Sequence, residues 1–199
     1  MTSTDTIEIR PFTPADMEAL GGLLDSLRAA EGCWCVWYIG SIRAYREGKR
    51  NGDNRETFSA IAAASRDPMG LVAMVDGAAV GWCATGPRAR YARALNTPTY
   101  GRRDPAEDDT VWLIPCLVVG RDHRKRGLAQ RLVAAATALA EAHGARAVEA
   151  FPFADGKRQS AENQVGFERM FTRAGFHVTN RPSPARAFMR RDFATAPGA

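Results

Sequence analysis

The residues best placed to do chemistry fall in one stretch, Leu117-Val-Val-Gly-Arg-Asp-His-Arg-Lys-Arg-Gly-Leu-Ala129, where an apolar segment passes through a basic, glycine-containing turn into a helical pattern. A turn of that kind offers an anion the unpaired N–H groups and the positive dipole end of a helix. Between Arg121 and Arg131 stand five Lys or Arg against one Asp, a local +4 within a formal net charge of +5. The excess charge is therefore focused at one predicted helix start, which points to an anionic partner: a phosphorylated small molecule, a nucleic acid or a membrane surface. Neither G-x-G-x-x-G nor G-x-x-x-x-G-K-[ST] occurs, so dinucleotide and P-loop sites lose their support.

The elements that must hold this turn can be traced from hydrophobic spacing. Val111 to Val119 (VWLIPCLVV) is an almost continuous apolar run, as in a strand covered on both faces, yet Pro115 sits in its middle. Proline gives no N–H to a ladder, so a bulge or a splayed pairing is expected there. After the turn, Leu128, Leu132, Ala135, Ala136, Leu139 and His143 mark one face of a long helix ending at Gly144, and Ala147 to Phe151 reads as the next strand. Upstream, Ile7 and Ile9 mark a short first strand, Thr13-Pro14 starts a helix carrying Met17, Leu20, Leu23, Leu24 and Leu27, and a second helix covers about Arg55 to Ser65. Gly32 to Gly52 reads as irregular and aromatic. Gly70 to Val75, the pair Asp76-Gly77 and Ala79 to Cys83 spell a β-hairpin. Gly86 to Asp109 reads as a long loop, basic in its first half and acidic in its second. Phe167, Met170 and Phe171 pattern a short helix closed by Gly175, with strands near Phe176 to Thr179 and Ala185 to Arg190.

At 199 residues, with 45% hydrophobic and 25% charged residues, the chain has the composition of one globular domain with a real core. The stretch MTSTDTIEIRPF has no basic segment followed by an apolar one, and no apolar run approaches the roughly 20 residues that span a bilayer. Cys33, Cys35, Cys83 and Cys116 lack the pattern of a secreted disulfide framework, and a reducing cytoplasm is expected. No metal is expected, because the C-x₂₋₄-C pairs of a zinc site are missing and the three histidines show no ligand spacing.

Arg124-Lys-Arg-Gly-Leu-Ala129 fits R-x-x-G-x-A, and in its context of apolar strand, long helix, strand and short helix the sequence resembles the GCN5-related N-acetyltransferase (GNAT) family. The acetyl-CoA motif of that family is [Q/R]-x-x-G-x-[G/A]. The resemblance covers about residues 6–191, as a single acetyltransferase-like domain. It implies an α/β fold with a mixed, mostly antiparallel central sheet, splayed fourth and fifth strands, flanking helices and acetyl-CoA as co-substrate. Backbone groups of Leu117, Val118 and Val119 would then pair with pantetheine. The N–H groups of Arg124, Lys125, Arg126, Gly127, Leu128, Ala129 and Gln130 would hold the pyrophosphate. Trp34, Trp37 and Tyr38 lie where the family builds its acceptor pocket, and rigid aromatics there would suit a flat or cationic group.

An amine must lose its proton before it attacks a thioester, and a carboxylate is the usual base. Glu149 stands where some family members carry one; Asp108 and Asp109 are weaker candidates. Phe171 occupies the position, close to the cofactor, at which the family commonly places a tyrosine acid. That task would fall to Cys116, Tyr91 or Tyr100, or lapse, since a thiol is already a tolerable leaving group. Cys116 is also a candidate nucleophile, although direct attack is the expected route. The expected activity is transfer of acetyl to an amine of a small molecule or protein, with no nucleic-acid or membrane partner and with homodimerisation allowed by the edge strands. The rivals are an acyl-CoA sensor without turnover and a basic nucleic-acid-binding protein.

Overall fold

A computed structural model describes residues 6–98, 100, 103–155 and 163–194. Seven strands form one sheet in the order β1-β2-β3-β4-β5-β7-β6: β1 (Glu8–Pro11), β2 (Gly70–Val75), β3 (Ala78–Pro87), β4 (Val111–Val119), β5 (Ala147–Ala150), β6 (His177–Ser183) and β7 (Arg186–Asp192). Every neighbouring pair is antiparallel except β4 with β5. This is the mixed α/β sheet that the family resemblance implied. Asp76 and Gly77, which turn β2 into β3, both have positive φ, 47° and 83°, as a two-residue hairpin turn demands.

Helices cover both faces. On one, α5 (Leu128–Ala142) packs Leu128, Leu132, Val133, Ala136 and Ala140 on Leu71, Ala73, Ile114 and Val148, with Phe171 of α6 (Glu168–Arg173) beside them. On the other, α1 (Met17–Asp25) and α3 (Asn54–Ala64) close over Val72, Trp82 and Val118. The entry to α1 is fixed by Asp16, whose carboxylate accepts from Thr13 N at 2.8 Å and pairs with Arg10 at 2.6 Å.

Three expectations need correction. Gly32 to Gly52 is not irregular throughout, because α2 (Ile42–Asn51) runs through it; Ser41 Oγ accepts from Ala44 N at 3.1 Å, and Gly52 ends the helix at φ 88°. Gly86 to Asp109 is not an open loop: β3 continues to Pro87, the short helix α4 (Ala92–Leu95) follows, and the basic half folds onto the acidic half. Arg88 reaches Asp108 at 2.7 Å and Arg103 reaches it at 3.1 Å. The C-terminal strands are also longer than their apolar cores, because paired backbone extends past them.

The feature that positions the site is the break in β4. The register with β3 shifts so that Cys116 faces Ala84 while Leu113 faces Gly86, leaving Ile114 and Pro115 opposite Thr85. On the other side β5 pairs only from Val111 to Ile114. Beyond Pro115, the edge of β4 from Cys116 to Val119 is free of β5, as the missing N–H of proline leads one to expect.

Candidate active site

The opening between β4 and β5 gives onto two clefts. The larger, about 950 Å³, is walled by Leu117, Val118 and Val119 from β4, by Arg124, Lys125, Gly127, Leu128, Ala129 and Gln130 from the basic turn and α5, and by Gly166, Phe167 and Met170 near α6. Its charged wall residues are Arg28, Arg121, Arg124, Lys125, Arg169 and Arg173, with no carboxylate among the described lining residues. Gly127 enters α5 at φ 79° and Lys125 also has positive φ, 59°. The turn thereby leaves the first N–H groups of a 15-residue helix without an intrahelical acceptor at the cleft wall. The side-chain amide of Gln130 donates to Met170 O at 2.9 Å and ties that helix end to α6. Arg124 Nε donates to Val119 O at 3.0 Å, so this carbonyl, expected to face pantetheine, already has a donor.

The smaller cleft, about 340 Å³, is lined by Trp37, Tyr38, Tyr45, Phe151 and Val165, by the Cys33 thiol, and by Arg93 and Arg186. Ala29 and Gln164 line both clefts. Gln164 spans the junction: its Nε2 donates to Ala29 O at 2.8 Å, and its Oε1 lies 4.0 Å from Cys116 Sγ, just past the break in β4. Burial pushes the Tyr38 phenol well above its ordinary value and the Cys33 thiol up to about 11, so both stay protonated at neutral pH.

Several expected site residues lie elsewhere. Arg126, between the wall residues Lys125 and Gly127, has an exposed side chain. Phe171, 0% exposed, packs edge-on against Phe176 at 5.3 Å and is a core residue. Trp34, 5% exposed, lies against Phe58 and Gly21 in the core under α1, not in the acceptor cleft. Cys116 is buried among apolar residues and lines neither cleft. Its thiol donates toward Cys35, whose sulfur also accepts Trp82 Nε1–H at 3.2 Å; Cys35 is thereby pushed down and Cys116 up, away from the thiolate a nucleophile needs.

Glu149 is 3% exposed and lines neither cleft. Arg88 Nη1 donates to both its oxygens at 3.1 Å, Arg190 Nη1 to Oε1 at 2.9 Å, and the Tyr100 hydroxyl to Oε2. Arg88, 1% exposed, also donates to Asp108 at 2.7 Å, and Arg190 to Glu107 at 3.0 Å. Burial works against the charge on Arg88, and Glu149 and Asp108 more than offset it, so its ordinary value is raised. These contacts bolt the segment 88–108 to β5 and β7. They also employ Tyr100 and Asp108, two of the alternative acid and base candidates, while Tyr91 is buried away from both clefts.

Four residues not singled out from the sequence are brought to the clefts by the tertiary fold: Gln164, Arg28, Ala29 and His123. His123 lines the larger cleft, with a buried Nδ1 that has no partner among the described residues.

The family model described as Acetyltransferase (GNAT) family matches residues 34–176, well over half of the chain. The chain belongs to this family. No curated protein matches its sequence. Among solved structures, an N-acetyltransferase from Staphylococcus aureus Mu50 aligns with TM-score 0.57 at 16% identity, over 94% of this chain and 98% of that one. YhbS from Escherichia coli, solved in complex with CoA, aligns with TM-score 0.57 at 18% identity, over 98% and 85% of the two chains. A GNAT acetyltransferase from Brucella melitensis in complex with acetyl-CoA gives 0.52 at 15%, over 98% and 92%. At such identities the likeness shows the fold. Among the described residues of this GNAT chain no helix is long and apolar enough to cross a membrane, and no group of three or more His, Cys, Asp or Glu is arranged to hold a metal ion.

Proposed function

We propose that this chain is an acetyl-CoA-dependent N-acetyltransferase that acts by direct transfer to an amine, as a single domain of about residues 6–191. The observation that carries this reading is the meeting of the two clefts at Ala29 and Gln164, beside the break in β4. The larger cleft suits the donor: its cations and the N–H groups at the start of α5 fit a pyrophosphate, and the free edge of β4 fits the amides of a pantetheine arm. The smaller cleft suits the acceptor.

When bound, acetyl-CoA supplies a thioester whose thiol, with a pKa of about 8.5, leaves readily. The chain's own residues orient and exclude water. Trp37, Tyr38 and Phe151 form the apolar wall along which the amine approaches, and Gln164 holds the loop after α1 against β4. The Tyr38 phenol, held protonated, is the donor we assign to the leaving sulfur. Glu149 is assigned a positioning role rather than that of base, because its oxygens are occupied and it reaches neither cleft. We assign the amine's proton to water: the amine arrives neutral or loses its proton to solvent before it attacks.

Thermal melts with acetyl-CoA, CoA, ATP and duplex DNA at two salt concentrations, followed by assay of thiol release with an amine panel, test this reading. Ligand at 100 times its Kd adds about 2.7 kcal/mol, or roughly 5–11 °C for a chain of this size. Selective stabilisation by acetyl-CoA and CoA with amine-dependent thiol release is expected. Stabilisation without release would make the chain a sensor, and stabilisation by DNA alone, lost at high salt, would overturn the reading.

A further inference from the structure

The smaller cleft holds a cation, Arg93, that meets no carboxylate among the described residues. Arg93, on α4, lies with Cζ 3.4 Å from the centroid of the Trp37 ring and donates Nη1–H to Trp37 O at 2.8 Å. Trp37 is braced in turn by Tyr45, edge-on at 4.9 Å. The guanidinium is therefore fixed in orientation, with one N–H spent and the remaining donors of its fork at the cleft wall. No carboxylate forms an ion pair with Arg93 among the described residues, and none lines the cleft. Partial burial pushes its pKa down; the Tyr38 and Tyr45 phenols favour its charge, and Arg46 adds repulsion. Arg93 is half-buried with no acid against it, whereas the buried cations of the Glu149 network each face one. The arrangement is that of a site completed by an anion brought from outside.

We propose that the smaller cleft selects an acceptor amine that carries its own carboxylate, namely an amino acid with an apolar side chain, with Arg93 as the residue that receives the carboxylate. A planar carboxylate matches the donor fork of a guanidinium. With one donor of Arg93 spent on Trp37 O, the rest of its fork matches the two oxygens of a monoanionic carboxylate. The apolar walls, Trp37, Tyr38, Phe151 and Val165, suit an aliphatic or aromatic side chain, and the size of the cleft, about 340 Å³, restricts it to a small molecule. Arg186 also lines the cleft, with its guanidinium 3.7 Å from the centroid of Phe153 and a hydrogen bond to Phe151 O at 3.1 Å, but the proposal rests on Arg93 alone. It rests as well on the reading that acetyl is transferred to an amine entering by this cleft.

The test has two arms so that the two claims fail separately. In the first, thiol release from acetyl-CoA is followed with alanine, leucine, methionine and phenylalanine and with the amide of each, for wild type, Arg93→Ala and Arg93→Lys. Because the amides are the less basic amines, the informative quantity is the acid-to-amide ratio of kcat/KM compared between proteins. Arg93→Ala should lower that ratio at least tenfold, the acids losing far more than the amides, and leave acetyl-CoA affinity unchanged; Arg93→Lys should restore part of the ratio. In the second arm, calorimetry measures binding of N-acetylphenylalanine, N-acetylleucine and their amides to CoA-loaded and CoA-free protein, with an aminophosphonate as comparison anion. Binding of the acetylated acids at least tenfold tighter than the amides, lost in Arg93→Ala, supports the anion site even if no turnover occurs, an outcome in which the transfer reading alone fails. Equal binding of acid and amide, preference for the phosphonate, absence of binding by every acid, or an equal loss for acid and amide in Arg93→Ala would overturn the proposal.

Discussion

Glu149→Gln separates a base from a structural tether. In the native chain the carboxylate accepts two bonds from Arg88 at 3.1 Å, one from Arg190 at 2.9 Å and one from Tyr100. The amide keeps one acceptor oxygen but loses the charge and brings an NH₂ that faces guanidinium groups. Removing one partner from a buried ion pair costs about 3–5 kcal/mol. Asp108 still holds Arg88 at 2.7 Å and Glu107 still holds Arg190 at 3.0 Å, which places the cost at the lower end, about 3 kcal/mol. For a chain of this size that lowers Tm by roughly 6–12 °C. Differential scanning fluorimetry gives the melting point, and thiol release at 25 °C gives the rate for the folded protein. If the tether is the whole role of Glu149, kcat stays within about threefold of wild type, whereas loss of a general base costs about 10²–10⁴. A variant with an unshifted melting point and a hundredfold lower kcat would refute the argument and restore Glu149 to the chemistry.

Direct attack by an amine that gives its proton to water predicts that log(kcat/KM) rises with pH at close to unit slope until the pKa of the amine, since only the neutral amine attacks; a plateau beginning near pH 6–7, whatever the amine, would reveal a resident base. Tyr38→Phe should lower kcat about tenfold or more and spare the Kd for CoA, and a loss in affinity instead would make Tyr38 a wall residue only. Gly127→Ala places a Cβ with no protein atom within 4 Å but at φ 79°, so its cost is the backbone conformation alone, about 1–2 kcal/mol by denaturant titration. Asp16 is held down to about 2, chiefly by its hydrogen bonds with Arg10, against burial and with help from Thr13. Its folded value lies below the unfolded one, so it contributes about 2 kcal/mol above pH 4, lost as pH falls through about 2, and the stability gap between wild type and Asp16→Asn should close over that range.

What could be read from the residue order was whatever depends on neighbours in sequence. The apolar run 111–119, its interrupting proline, the basic turn and the amphipathic α5 all declare themselves locally, and they make up most of the larger cleft. Helix α2 was hidden because it is stabilised by its Ser41 cap and Gly52 stop rather than by an apolar face. The roles of Trp34 and Phe171 could not be read because an aromatic residue looks the same in a core and in a pocket; which it joins depends on what packs over it. Glu149 shows the sharper limit: its partners Arg88 and Arg190 lie 61 and 41 residues away, and nothing in the alternation Val-Glu-Ala announces that its charge is already paired.

The break at Pro115 joins the fold to the function. A strand in the middle of a seven-stranded sheet ordinarily spends all its N–H and C=O groups on its neighbours, leaving none for a ligand. Here β4 is paired on both sides up to Ile114 and, beyond Pro115, on the β3 side only. The sheet thus gives up a few ladder bonds, each worth about 1 kcal/mol net, beside the larger cleft, where a linear amide-bearing ligand could replace them. The remaining strands β7 and β6 close the far side of the opening, and the Glu149 network clamps β5 and β7 to the segment 88–108 that carries Arg93. Loosening that clamp should therefore blunt acceptor selectivity before it weakens CoA binding. A Glu149→Gln protein in which both decline together would show instead that the two clefts are held by the same contacts.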